Sequence, residues 1–508
     1  MRPPPLRLLL PALPCLLLAL LAPPSTAHAQ SAERIWGTVH MKDGERHEGF
    51  LRFGRGMVFV PGLIYGHADR WSDLLTGRED IREEPFRVWL DSARGGGAFL
   101  RTVELKGYRI SWNELNSNFA RYVGFAIPFG SIQEIIVHGE VAGAGPTPVA
   151  YGGRVEAILR PVREVGGVDT GNRERRWLMG RSAVLWVGSA IEVEDDRGRR
   201  DMLDGADVAR IEFAAAPPGL TTSSERLYGT IEDASGRSFT GLVTWRQSKL
   251  SPADTLGGWT DRSSPRRIAF GSIRSLERLP GGTDDQPASG VRVTLVTGEA
   301  VDLPDQTWQR SFSIAVVDPG LGQASVSSSD FRSLRFHDPA EGPDGGLAAS
   351  SAPGGAEYEA FGTGAYLRGT VATRDGEEYE GRIRWGASKT TTWDHLRGNS
   401  DGVWMFVRFA RIRRVELLEF PYLEADSVGG TEVERSLVRV TLLDGRSYEM
   451  SGVEDLGEVN VGILVLPAGD GADSGWRRVA LEDLREVRFE HSSTGGSRPQ
   501  QRRSPASW

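Results

Sequence analysis

The sequence predicts an all-β protein, built as tandem repeats of small antiparallel β-barrels or sandwiches in three doubled copies. Two observations carry this prediction. One glycine-punctuated pattern recurs three times without a gap, and repeats are the first thing to look for in a chain of this size. Each recurrence also places an Asp-Gly or Ser-Gly pair between segments of alternating polarity, the mark of a β-hairpin.

The first 29 residues stand apart from the repeats. Arg2 and Arg7 give a positive start, Leu8 to Leu21 form a proline-broken apolar stretch, and Ala27-His28-Ala29 matches the small-x-small cleavage pattern of a secretory signal. The apolar run is too short for a comfortable spanning helix of ~20 residues. Cleavage is expected after Ala29, which exports the chain to the periplasm or beyond, including the outer-membrane surface. Cys15, the only cysteine, lies inside that apolar run. The mature chain is then free of disulfides and thiolate metal sites. Formal net charge is −8, and it becomes more negative once Arg2 and Arg7 leave. A nucleic-acid polyanion is therefore not the expected partner, and no cofactor is indicated.

Gly37-Thr38-Val39, Gly229-Thr230-Ile231 and Gly369-Thr370-Val371 open the copies. Gly44, Gly236 and Gly376 follow, then Gly49, Gly241 and Gly381, then Phe53, Trp245 and Trp385, always at the same spacing. A two-residue loop would put Tyr379 on the wrong face. A three-residue loop with Gly376 left-handed pairs Val371 with Tyr379 and Gly369 with Gly381, gathering Leu367, Val371, Tyr379, Ile383 and Trp385 on one side. The same register pairs Ile231 with Phe239 and Val39 with His47.

Two motifs recur downstream. One is an apolar strand and short turn, at Ile127-Pro128-Phe129-Gly130-Ser131-Ile132, Ile268-Ala269-Phe270-Gly271-Ser272-Ile273 and Val407-Arg408-Phe409-Ala410-Arg411-Ile412. The other closes each copy, at Asp207-Val208 with Ile211 and Phe213, Asp330-Phe331 with Leu334 and Phe336, and Asp483-Leu484 with Val487 and Phe489. The two motifs superpose on each other, and a second strand–turn–strand lies between them in Val291 to Gly298 and Val438 to Gly445. Each copy thus reads as two modules of hairpin, strand, 3₁₀ turn and last strand. That order resembles Sm-like and Src-homology-type small barrels, a resemblance that implies a fold and no function. The expected organisation is a signal peptide at 1–29, copy one with inserts at 30–213, a short linker at 214–224, copy two at 225–337, a linker at 338–363, copy three at 364–490 and a polar tail at 491–508.

The candidate binding residues belong to an Asp-x-Leu-x-Gly element at Asp73, Asp254 and Asp394, with Lys249 and Lys389 before the second and third. Its bland reading is a turn in which Asp caps backbone N–H groups; its sharp reading is a ligand contact repeated at one barrel mouth. His40 and His47 flank a hairpin, but the register sends them to opposite faces, with His47 in the core slot of Phe239 and Tyr379. His47-Glu48 opens a zincin-like string that fails at Leu51. Gly398-Asn399-Ser400-Asp401-Gly402 matches a nucleophile-elbow string, but strand rather than helix is expected after it. Trp36 and Tyr228 are expected on the outer strand face, packing between modules.

Repetition of framework without a repeated catalytic constellation points to a non-enzymatic envelope or extracellular protein. It binds or scaffolds through module loops, with a protein or glycan of the cell envelope as partner. The alternative is a secreted hydrolase of cell-wall or glycan substrate, with its site in the copy-one inserts.

Overall fold

The computed structural model describes residues 34–53, 63–69, 102–105, 108–111, 122–138, 154–163, 175–178, 190–217, 220, 226–246, 249–259, 265–279, 290–304, 313–337, 364–386, 388–425, 432–457, 460, 462–467 and 476–491. The expected signal peptide, the 338–363 linker, nearly all of the tail and Asp73 lie outside these residues. The described chain is all-β, broken only by single turns of 3₁₀ helix. Among the described residues no helix is long and apolar enough to cross a membrane.

Copy one supplies β1 (Trp36–Met41), β2 (Arg46–Phe53), β3 (Leu63–Asp69), β4 (Tyr122–Pro128), β5 (Ile132–His138), β6 (Arg154–Leu159), β7 (Arg175–Leu178), β8 (Ile191–Glu194), β9 (Arg200–Leu203) and β10 (Val208–Ala214). Copy two supplies β11 (Tyr228–Asp233), β12 (Ser238–Trp245), β13 (Thr255–Trp259), β14 (Pro265–Ala269), β15 (Ile273–Arg278), β16 (Gly290–Leu295), β17 (Ala300–Pro304), β18 (Ser313–Asp318), β19 (Gly322–Ser327) and β20 (Phe331–Phe336). Copy three supplies β21 (Arg368–Thr373), β22 (Glu378–Trp385), β23 (His395–Ser400), β24 (Val403–Arg408), β25 (Ile412–Ala425), β26 (Glu432–Leu442), β27 (Ser447–Gly457), β28 (Ile463–Pro467), β29 (Arg477–Val479) and β30 (Leu484–Phe489).

The pairing order β7-β6-β5-β10-β1-β2-β8-β9 makes an eight-stranded antiparallel sheet in copy one. The same order, ten labels on, holds in copy two, and again in copy three. Apart from the separate hairpin Thr102–Leu105/Tyr108–Ser111 and the short strand Val162–Arg163 of copy one, with its partner Gly364–Ala365, each copy divides into two groups of five. The outer group has the order β9-β8-β2-β1-β10. The inner group, β3 to β7, is inserted between β2 and β8, and β3, paired with β4, lies beside β7. Both groups show the same spatial sequence, but the inner one is threaded from its third strand onward, so its hairpin comes last. Counted by matching position in the outer group, β4 is the inner group's fourth strand and β5 its fifth, and the two groups join where the fifth strands, β5 and β10, pair side by side.

This arrangement corrects the expectation of barrels, because among the described residues no sheet closes. In the outer group a 3₁₀ turn, Gly205–Asp207, separates the fourth strand from the fifth, and the fifth pairs with the other group's fifth instead. The groups also differ from two modules set in succession, since each outer group takes strands from both ends of its copy.

The hairpin register is as the sequence indicates. Val39 faces His47, Ile231 faces Phe239, Val371 faces Tyr379, and Gly369 faces Gly381. Each loop has three residues and is closed by a strand-end hydrogen bond, Met41 N–H to Glu45 O at 2.9 Å, Asp233 N–H to Arg237 O at 3.0 Å and Thr373 N–H to Glu377 O at 2.9 Å. Gly44, Gly236 and Gly376 have φ of 95°, 84° and 97°, the left-handed position such a loop demands.

An aromatic triplet recurs in each copy and ties outer group to inner. Phe53 packs on Phe129 at 5.2 Å, Trp245 on Phe270 at 5.8 Å and Trp385 on Phe409 at 6.0 Å between ring centres. The closing-strand rings Phe213, Phe336 and Phe489 complete the triplets at 5.9, 5.9 and 5.4 Å from Phe129, Phe270 and Phe409. Tilted and stacked rings at these separations contribute ~0.5–1.5 kcal/mol beyond their buried area.

Gly381 tests this account of the repeated glycines. A Cβ there would stand 2.0 Å from the backbone oxygen of Leu466, whereas one at Gly376 meets open space. Gly381→Ala is expected to cost about 3 kcal/mol by forcing paired backbones apart. Gly376→Ala is expected to cost about 1 kcal/mol for the left-handed angle alone. Equal costs in denaturant titrations would contradict the close-approach role.

Candidate functional site

The lysine–aspartate element is a closed loop in both copies where it is described. Trp245 N–H donates to Lys249 O at 2.7 Å, and Trp385 N–H to Lys389 O at 2.9 Å. One carboxylate oxygen of Asp254 then accepts from Leu250 N–H at 2.9 Å and Ser251 N–H at 3.0 Å. Asp394 accepts from Thr390 N–H at 2.9 Å, Thr391 N–H at 2.8 Å and the Thr391 hydroxyl at 3.0 Å. Their main-chain carbonyls receive Phe270 N–H at 2.9 Å and Phe409 N–H at 3.0 Å, which fastens the loop to the 3₁₀ turn that starts the triplet. Leu256 and Leu396 are buried beneath. These are capping contacts of the kind the turn reading calls for.

The lysines part company. Lys249 is 41% exposed and its Nζ stands 3.7 Å from Asp254 Oδ1. Lys389 is buried and pairs with Asp455 Oδ1 at 2.6 Å, both side chains 2% exposed. The other Asp455 oxygen accepts Arg397 N–H at 2.7 Å, and its carbonyl accepts Trp385 Nε1–H at 3.0 Å. A buried charge needs such complete satisfaction. Asp455 was missed from sequence. Its only signal is that the residue ten beyond the turn glycine is Asp455 after Gly445 but Trp308 after Gly298.

Next to this pair, His395 is buried where copies one and three meet. Its Nδ1–H donates to Ala126 O at 3.2 Å, and Phe406 packs on Leu63 and Ala126. Tyr366 and Trp393 of copy three enter the copy-one core, and Gly364–Ala365 runs parallel to Val162–Arg163. Burial, reinforced by the nearby Arg408 charge, pushes the His395 pKa down to about 3.

Copies two and three are joined differently, by strand pairing. β19 pairs with β24, making one eighteen-stranded sheet of the two copies. Side chains lock both ends. Arg446 forms a fork on Asp318 at 2.8 and 3.1 Å, and Arg237 donates to Ser400 Oγ at 2.7 Å, Ser400 O at 2.9 Å and Asp401 O at 3.2 Å. Phe239 stacks on Tyr448 across the seam at 6.3 Å. The two locks are reciprocal, since each takes a hairpin turn of one copy onto the third-to-fourth-strand turn of the other. Ser400, the serine of the Gly-x-Ser-x-Gly string, is therefore a buried junction residue on a hairpin, and strand β24 follows it.

His47 lies opposite Val39 as expected, but it stays half-exposed, with Asp201 Oδ2 3.6 Å and Glu45 Oε2 3.5 Å from its ring. His40 points the other way, to Glu212 at 3.2 Å. Trp36 and Tyr228 are packed rather than open to solvent. Both are buried, Trp36 edge-on to Phe50 at 4.8 Å and Tyr228 beside His337 at 6.5 Å, because cross-strand neighbours cover them. Among the described residues no group of three or more His, Cys, Asp or Glu is placed to hold a metal ion. No protein-family model matches the chain, and no curated protein matches it.

Two outcomes follow. Lys389→Ala leaves Asp455 buried without its cation and is expected to cost about 3–5 kcal/mol, whereas Lys249→Ala costs under about 1 kcal/mol. Comparable losses in denaturant titrations would contradict the difference in burial. His395 takes up its proton far more readily unfolded, near pH 6.5, than folded, near pH 3. Stability contributed by its neutral form is thus complete above pH 6.5 and falls with pH through that window, by about 1.4 kcal/mol per pH unit. His395→Gln should flatten this acid limb in melts taken across pH 4–7, and an unchanged limb would exclude the assignment.

Proposed function

We propose that the chain is an exported, non-enzymatic envelope or extracellular protein that binds or scaffolds through the loops and edges of its β groups. The observation that carries this reading is the seam between copies two and three. There polar side chains particular to copies two and three join one β group to another, Arg446 on Asp318 and Arg237 on Ser400. A chain whose groups recognise one another along strand edges is suited to assembling with further β surfaces or with extended polymers.

The proposed external contact is the half-exposed Lys249–Asp254 pair of copy two, where a cation and an anion stand side by side at the end of the inner group. The equivalent Lys389 and Asp394 are buried, so copy two is the copy that presents the pair. Asp73 lies outside the described residues. The partner proposed is a protein or glycan of the cell envelope. A formal net charge of −8 weighs against nucleic acid.

The test is retention of envelope protein fractions and a glycan panel on the immobilised chain. It is repeated with Lys249→Gln and Asp254→Asn, which keep the backbone caps and remove the charges. Retention without chemical change to the ligand, weakened at least several-fold by the paired substitutions, is the expected result. Time-dependent shortening of a glycan would replace this reading with that of a secreted hydrolase.

A further inference from the structure

We propose that the chain assembles head to tail, the β9 edge of copy one in one molecule pairing with the β29 edge of copy three in the next. The inference goes beyond envelope binding and stands whether or not an envelope ligand exists. It begins from the seam already inside the molecule. There Gly322 faces Val407, Gln323 faces Phe406, Ala324 faces Met405 and Ser325 faces Trp404. β19 and β24 are both fourth strands of their groups, and the register is symmetric about Ala324 and Met405. The seam is therefore a pseudo-twofold union of two like edges.

The other fourth strands align with these by their pairing. Leu203 faces Ile191, Val326 faces Ile314, and Val479 faces Ile463, so the central position is Asp201 in β9, Ala324 in β19 and Arg477 in β29. Among the described residues β9 pairs only with β8, and β29 only with β28. Both centres are open to solvent, Asp201 with 65% of its side chain exposed, and Met202 beside it is 64% exposed. An edge is guarded against its own kind by such a charge, because like charges directly opposite repel. Two β9 edges would set Asp201 against Asp201, and two β29 edges Arg477 against Arg477. β9 with β29 sets Asp201 against Arg477.

The flanking positions agree. Across the existing seam Phe239 stacks on Tyr448. His47 and Tyr379 occupy the same hairpin position as Phe239, and each is only half-buried on its edge. In the proposed union His47 meets Tyr379, and Met202 meets Trp476. Arg200 would oppose Arg478, but Glu192 and Glu194 already stand 3.5 and 3.4 Å from Arg200. The remaining basic edge, β14, centres on Arg266 but carries Pro265 at the position where Trp404 pairs in the seam. Proline has no N–H to give the ladder. The choice thus falls on β29. Unlike edges joined between identical chains add head to tail, so the product is a row or ring of molecules according to the rotation between neighbours.

The test is sedimentation velocity of the full chain over a concentration series, in low and high salt. Parent protein should grow in mass with concentration, more so at low salt. Asp201→Arg and Arg477→Asp should each abolish this growth alone and restore it when the two variants are mixed, since each then offers the charge the other lacks. Asp201→Lys and Arg477→Glu repeat the exchange, should one substitution disturb folding. A parent of constant mass at every concentration, growth untouched by the single reversals, or a mixture that stays unassembled would each overturn the proposal.

Discussion

A strand has two hydrogen-bonding edges, and a five-strand group that does not close leaves its fourth strand with one edge unfilled. Much of this molecule follows from how those edges are settled. The fifth strands settle theirs by pairing with each other, β5 with β10, which holds each copy together. The fourth strands use three devices. β19 and β24 pair across copies. β4 comes to rest near copy three, where Ala126 receives the His395 hydrogen bond. β9, β14 and β29 end on charge or proline, devices that keep an edge from joining the wrong partner. The result is a chain whose internal seam and external edges obey one geometry.

Within each group the faces are set before the edges are. The three-residue hairpin places Val39, Ile231 and Val371 inward, and the aromatic triplet then clamps the second strand to the 3₁₀ turn and the closing strand. A slip of one residue would turn every one of these side chains outward. The Asp254 and Asp394 loops serve the same clamp, since each hands its carbonyl to the first amide of the 3₁₀ turn.

What could be read from sequence was local. The all-β class, the hairpin register and the left-handed Gly44, Gly236 and Gly376 came from spacing, because period and turn chemistry act over a few residues. The nesting did not, because nothing local records which distant strand fills an edge. Reading each copy as two modules in succession matched the motifs but missed that β2 pairs with β8, across the whole inner group. The same reason hid Asp455 as the partner of Lys389, and Arg446 as the partner of Asp318, whose separations are 66 and 128 residues. Ser400 shows the converse: a familiar string placed by tertiary structure in a seam.

The seam between β19 and β24 is the point on which this account turns. Arg408 N–H donates to Leu321 O at 2.9 Å, so the pairs alternate from there and Ala324 with Met405 is a non-hydrogen-bonded pair. Side chains of such pairs lie close enough for a disulfide. The most direct measurement is therefore cross-linking of a chain carrying Ala324→Cys and Met405→Cys with Cys15 replaced. A rapid intramolecular disulfide, absent when the second cysteine is moved from 405 to 404, is the expected result. Equal cross-linking at both positions, or none at either, would contradict the register and with it the shared geometry of the edges.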